Sequence, residues 1–150
     1  MNFKVLFLTL FAIIKERYYI NPIYLMAVFH HETGNFSSNI FKENNNLSGM
    51  KPSTRDNHTG ENRGHATYKN VWKSIVDYIQ RQKQFNVDYR LTLESYLDRT
   101  QATGYAEDSN YKLKVLNMYR QVKGRYAVPF LIVVPALAVA IYLIYKQLNK

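Results

Sequence analysis

The chain has 150 residues and no cysteine, which excludes disulfides and thiolate metal sites and suits one domain with an attachment better than two full domains. Apolar residues make up 47% of it, enough for a real core. Twenty Lys and Arg against 11 Asp and Glu give a formal charge of +9; this favours a polyanionic partner such as cell wall, lipid head groups or nucleic acid, although the basic residues are scattered and a solvated basic surface accounts for them equally well.

The first apolar run, Phe3 to Ile14, is interrupted by Lys4 and Thr9 and is too short to span a bilayer comfortably. Lys4 followed by an apolar stretch has the outline of a signal peptide, but no small-x-small cleavage site follows; a first domain helix is expected instead. The next helix is expected over residues 22–32, with Asn21 as its cap and Pro22 at its first position. It ends at His31-Glu32-Thr33-Gly34-Asn35-Phe36, and a polar, Asn-rich loop containing Asn44-Asn45-Asn46-Leu47-Ser48-Gly49-Met50-Lys51 follows.

Residues 51–67, with Pro, Gly and mixed polar side chains, predict a loop or short hairpin. Ser74, Ile75, Val76, Tyr78 and Ile79 mark a helix from about Val71 to Gln84, and a shorter helix is expected over 91–100. A long amphipathic helix from Tyr111 to Lys123 is expected to turn Leu113, Leu116, Met118, Tyr119 and Val122 inward. Beyond it, residues 127–145 carry no charge, and their length is close to the ~20 residues of a membrane-spanning helix. Arg125 and Tyr126 at one end, with Tyr142, Tyr145, Lys146 and Lys150 at the other, suit two membrane interfaces, and Pro129 and Pro135 are tolerated in such helices. The expected organisation is therefore a helical domain over 1–125 and a transmembrane helix with a short basic tail over 126–150. Basic residues flank both ends of the span, so its orientation stays open.

Glu32 is the foremost candidate for chemistry. A carboxyl group at a helix end beside apolar side chains has its pKa raised, as a general acid working near neutral pH requires. Met26, Phe29 and Phe36 are candidates for that apolar setting. A zinc site is disfavoured: His31-Glu32 begins the zincin pattern, but Asn35 stands where the second His is needed and Gly34 breaks the helix. His58 and His65 match no standard ligand spacing. No metal or other cofactor is expected.

Four segments in one order resemble the glucosaminidase family of peptidoglycan hydrolases, the autolysin and flagellar-muramidase type with a lysozyme-like fold. They are Glu32-Thr33-Gly34, then Asn46 to Lys51, then Tyr68 to Tyr78 with Ser74 and Asp77 in place, then Gly104-Tyr105-Ala106-Glu107-Asp108-Ser109-Asn110-Tyr111. Ser48 stands where the family prefers Phe, Asn70 replaces a Ser, and Glu107 and Ser109 replace Thr and Pro. The resemblance covers about residues 10–123. It implies a mainly α, lysozyme-like domain with a short β-hairpin or loop over the cleft, Glu32 as the catalytic acid and Tyr105 beside it.

The resemblance also implies a second carboxylate after the Asn46–Lys51 segment, where Glu61 is the better match and Asp56 the alternative. A carboxyl separation of roughly 5 Å means a covalent intermediate and about 7–9 Å an activated water; assistance by the substrate's own N-acetyl group stays open. Substrate contacts are expected from Asn46, Trp72, Tyr68 and His31, whereas Ser74 and Asp77 are expected to organise the helix behind the cleft. Trp72 has core packing as its competing role.

The expected function is thus a membrane-anchored endo-β-N-acetylglucosaminidase acting on peptidoglycan. The alternatives are a muramidase or lytic transglycosylase on the same fold, or a non-catalytic wall-binding or virion protein. A nucleic-acid partner is not expected, since no recognisable module is present. The bare domain with its terminal span fits a phage lytic enzyme, in the virion membrane of a lipid-containing phage or in the bacterial cell envelope.

Overall fold

In the computed structural model the described residues are 3–87 and 90–126. They form six helices and one small sheet: α1 (Phe3–Glu16), α2 (Pro22–Glu32), α3 (Asn39–Asn44), β1 (Gly60–Asn62), β2 (His65–Thr67), α4 (Val71–Gln84), α5 (Leu93–Ala102) and α6 (111–126). The arrangement is mainly α with one hairpin, as a lysozyme-like domain requires.

The second helix is the axle of the core. Nearly every residue from Pro22 to His30 is buried, the pattern of a helix surrounded by others rather than lying on a surface. Asn21 starts it by accepting the Ile23 amide at 2.9 Å, with Pro22 at the first position, which removes one of the unpaired amides of a helix start. The first helix packs against both α2 and α4 through Val5, Leu6, Ala12 and Ile13. Its buried Thr9 returns its hydroxyl to the Val5 carbonyl at 2.8 Å, so no polar group is stranded. The fourth helix buries Ile75, Val76, Tyr78 and Ile79. It ties to α5 through a buried cluster in which the Gln82 amide meets the hydroxyls of Tyr78, Tyr96 and Thr100 at 2.6–3.2 Å.

The hairpin pairs antiparallel, Gly60 with Thr67, Glu61 with Ala66 and Asn62 with His65. Its two-residue turn has positive φ at Arg63 (+55°) and Gly64 (+75°), the geometry of the primed turns that match strand twist. The asparagines fasten it to the helical body. The Asn62 amide donates to the Asn44 side-chain oxygen at 2.8 Å, the Asn44 amide donates to the Asn62 backbone carbonyl at 3.1 Å, and the Asn45 amide donates to the Tyr68 carbonyl at 3.0 Å. The long loop before the hairpin is held by Asp77, which is fully buried. It accepts from Arg55 Nε and the Tyr68 hydroxyl, both at 2.8 Å, and from the Asn57 amide at 3.3 Å.

Three expectations shift. The third helix falls inside the stretch read as loop; Ser38 caps it by accepting the Phe41 amide. The fifth begins two residues late because Thr92 is its cap. The sixth presents Tyr111, Val115, Val122 and Tyr126 inward, whereas Leu113 is 55% exposed. Tyr126 is fully buried, with the Phe3 ring and the His30 imidazole against it. The expected span, 127–145, lies outside the described residues; among those described, no helix is long and apolar enough to cross a membrane.

Asp77→Ala leaves the largely buried Arg55 guanidinium without its counter-charge and frees the loop from α4. A loss of about 3–5 kcal/mol is expected for breaking such a pair, read as a lowered denaturation midpoint. An unchanged midpoint would show that Asp77 is not the anchor.

Candidate active site

Glu32 is the last residue of α2, and the chain leaves the helix there by a left-handed turn. Gly34 has φ +53°, the Gly34 amide bonds the His31 carbonyl (3.3 Å) and the Asn35 amide the His30 carbonyl (2.8 Å). This is a Schellman cap, whose left-handed position favours Gly. The buried Thr33 hydroxyl bonds back to Phe29 O (2.5 Å) and accepts the Phe36 amide (2.8 Å). The Glu-Thr-Gly sequence is therefore the local code for stopping the core helix with its terminal carboxyl at the edge of the core.

The loop from Asn46 to Met50 closes over that carboxyl. The Asn46 side chain accepts the Ser48 and Met50 amides and donates to the Met50 and Ala66 carbonyls. Leu47 is buried, its amide held by Ser74 Oγ on α4 at 2.9 Å. These bonds bring Gly49, at φ +61°, so close that a Cβ there would lie 3.0 Å from Glu32 Oε2. Glycine is required twice at this position, by its backbone angle and by the approach to the acid. His65 on β2 meets the Gly49 carbonyl at 3.1 Å.

Burial pushes the Glu32 carboxyl up from 4.5 to about 7, and the Tyr105 and Tyr111 hydroxyls beside it offset part of that rise. Its position at a helix C-terminus also disfavours the anion. Tyr105 donates to the Ser48 carbonyl at 2.5 Å and stacks edge-on with Tyr78 and Tyr111 at 5.4 and 5.8 Å. Tyr111 is 2% exposed, and its hydroxyl has no hydrogen-bond partner of ordinary length among the described residues. These tyrosines, with Gly49, surround the acid; Met26 and Phe29 lie deep in the core, and Phe36 packs on His30 and Phe41 instead.

The other expected residues separate into neighbours and supports. His31, half-buried, stacks edge-on against Tyr111 at 5.5 Å; burial and the nearby Lys114 lower its pKa, while Asp108 opposes them. Glu61 is exposed on β1 and makes no hydrogen bond or ion pair with the described residues. Asp56 is exposed between Arg55 and Asn57, which are both tied to α4. Asn46 is 2% exposed with its amide consumed inside the loop, and Tyr68 is buried with its hydroxyl on Asp77. Both therefore build the site's wall from behind, not its substrate face. Trp72 packs on the core with the Lys15 ammonium 5.7 Å from its ring centre.

A cavity of about 250 Å³ shares two residues with the surroundings of the acid. Gly49 and Tyr105 belong to its lining, together with Lys51, Arg55, Arg81 and Phe85. Sequence reading passed over Arg81 and Gly49 as individuals: an Arg on an amphipathic helix gives no signal of burial, and only the structure places the glycine against the carboxyl.

Residues 9–124 match the glucosaminidase family, described as mannosyl-glycoprotein endo-beta-N-acetylglucosaminidase. Among solved structures, the chain is similar to a C-terminally truncated glycoside hydrolase domain of FlgJ from Salmonella typhimurium. The identity is 22% and the TM-score 0.60, over 82% of this chain and 95% of that one. A likeness at this identity speaks for the fold. The comparison with curated proteins found no match.

The folded Glu32 carboxyl holds its proton up to about pH 7, whereas an unfolded one loses it near 4.5. The folded state therefore binds more protons in this window, and stability falls as pH rises through it. Glu32→Gln should remove that decline. Denaturant unfolding of both forms at intervals from pH 4 to 8 is the check; parallel curves would mean that Glu32 titrates normally.

Proposed function

The chain belongs to the glucosaminidase family, and from that premise we propose that it hydrolyses the β-1,4 glycosidic bonds of peptidoglycan strands as an endo-β-N-acetylglucosaminidase, with Glu32 as the proton donor. The observation that carries this reading is a carboxyl group held to about 7 at the end of a core helix, under a glycine that admits it and also lines the cavity. About half of such groups are protonated at neutral pH, so the acid can protonate the leaving oxygen as the bond to the anomeric carbon breaks.

The second carboxylate is assigned to Glu61. Directly paired residues of an antiparallel ladder project from one face, and Ala66, the partner of Glu61, is fully buried. Glu61 itself is exposed, on the same ladder face as that buried alanine. Asp56 sits on the loop segment pinned to α4. In this scheme Glu61 receives the proton of an attacking water or attacks the anomeric carbon itself.

Digesting peptidoglycan and identifying the new reducing ends by mass spectrometry tests the bond choice: N-acetylglucosamine ends support the reading, and muramic acid ends replace it by a muramidase. Glu32→Gln should lower turnover by about two to four orders of magnitude. Wild-type activity should fall as pH rises above about 7, where the acid is deprotonated. Glu61→Gln should be severe and Asp56→Asn mild; near-full activity in both would favour assistance by the substrate's N-acetyl group.

The proposal extends to location. Residues 127–145 anchor the enzyme in a membrane, in a lipid-containing phage or in the bacterial envelope, on the strength of their uncharged length and flanking tyrosines and lysines. Removal of residues 127–150 should release the protein from the membrane fraction and leave hydrolysis intact. Full-length protein recovered in the aqueous fraction after a carbonate wash would defeat the anchor.

A further inference from the structure

We propose that the cavity lined by Gly49, Arg81 and Tyr105 is a carboxylate subsite with Arg81 as its specificity-determining cation, selecting acidic, muramic-acid-bearing strands over neutral chitin-like ones. This deepens the glycan-hydrolase reading and rests on it.

The charges lining the cavity cancel except one. Arg55 is spent on Asp77, with Nε at 2.8 Å and Nη2 at 3.4 Å from its two oxygens. Lys51 and Glu107 pair with each other at 3.9 Å, both largely exposed. Arg81 is 7% exposed and has no carboxylate partner among the described residues. Its Nη2 donates to the Thr103 carbonyl at 3.0 Å, and its Nη1 is buried with no hydrogen-bond partner. Phe85 and Tyr105 lie 4.7 and 4.9 Å from the guanidinium carbon, measured to their ring centres. Buried guanidinium groups are normally paired. Here the aromatic faces hold the plane of the group, and the countercharge is missing.

A carboxylate entering the cavity that Arg81 lines supplies the missing countercharge. Its position is set by Tyr105, whose ring faces Arg81 and whose hydroxyl lies beside Glu32, and by Gly49, which lines the cavity and abuts the acid. In an alternating strand of N-acetylglucosamine and N-acetylmuramic acid, only the muramic unit carries a lactyl carboxyl, either free or extended by a peptide with carboxylates of its own. Chitin oligomers carry none. A subsite for an anion in this cavity therefore separates the two polymers.

The test uses the full-length chain in detergent with Glu32→Gln to block turnover, and calorimetry with four tetrasaccharides: a muramyl glycan with free lactyl carboxylates, its methyl ester, the peptide-bearing form, and the neutral chitin oligomer. A carboxylate form should bind about tenfold or more tighter than the ester, and the chitin oligomer should resemble the ester. Tighter binding of the free lactyl form assigns the lactyl carboxylate as ligand; tighter binding of the peptide form alone assigns the peptide. Arg81→Gln should erase the preference, and Arg81→Lys should keep part of it.

Equal binding of the acid, peptide and ester forms overturns the subsite while leaving the glycan reading standing, as does a preference that survives Arg81→Gln in a variant with native circular dichroism. Should Arg81→Gln not fold, the comparison of acid, peptide and ester in the chain that retains Arg81 decides alone. Binding of none of the four removes the glycan reading and the subsite with it.

Discussion

One amide side chain holds the site together. Asn46 is buried, and its oxygen and nitrogen together engage Ser48, Met50 and Ala66. Those bonds close the backbone from Ser48 to Met50 into a tight turn, which Ser74, Tyr105 and His65 hold from outside. The turn carries Gly49 to Glu32, and the bond to the Ala66 carbonyl ties the hairpin to the loop. The raised pKa of the acid is a product of that closure, since burial is its leading cause. Residue types that look like candidates for sugar contact thus serve the acid indirectly, by removing water from it.

A second buried polar group does the same for the other half of the cleft. Asp77 collects Arg55, Asn57 and Tyr68 on one side of α4, and Ser74, one turn earlier, takes the Leu47 amide. The fourth helix is therefore a post to which both loops are lashed, with Arg81 one turn further along the same face. Each of these side chains is costly to bury alone and stable when paired.

Much of this was legible in the residues. Asn21-Pro22 and the Thr33-Gly34 stop delimit α2 as expected because caps are short-range chemistry. The Glu-Thr-Gly stop also flagged the acid, since a carboxyl at the end of an apolar helix is perturbed wherever the helix docks. What stayed illegible is long-range. Asn46 and Tyr68 read as substrate contacts because nothing local tells a buried clamp from a sugar-binding side chain. Leu113 read as core by its type and lies outside, because Tyr111, Val115 and Val122 set the inward face instead. Arg81 is invisible for the same reason: its burial depends on Phe85, Thr103 and Tyr105, contributed by its own helix and by the loop that follows α5.

The contact between Phe3 and Tyr126, with ring centres 6.3 Å apart, has a topological meaning. The first and last described helices meet end to end, so the packed domain is almost a closed ring of chain. A covalent bridge between these two residues would close a loop. The loop so closed would span nearly the entire domain, and the entropy removed from the unfolded chain grows with the logarithm of that length. In a protein with no cysteine, a covalent clasp at this seam would constrain the unfolded ensemble strongly, because almost the whole domain lies within the loop it closes.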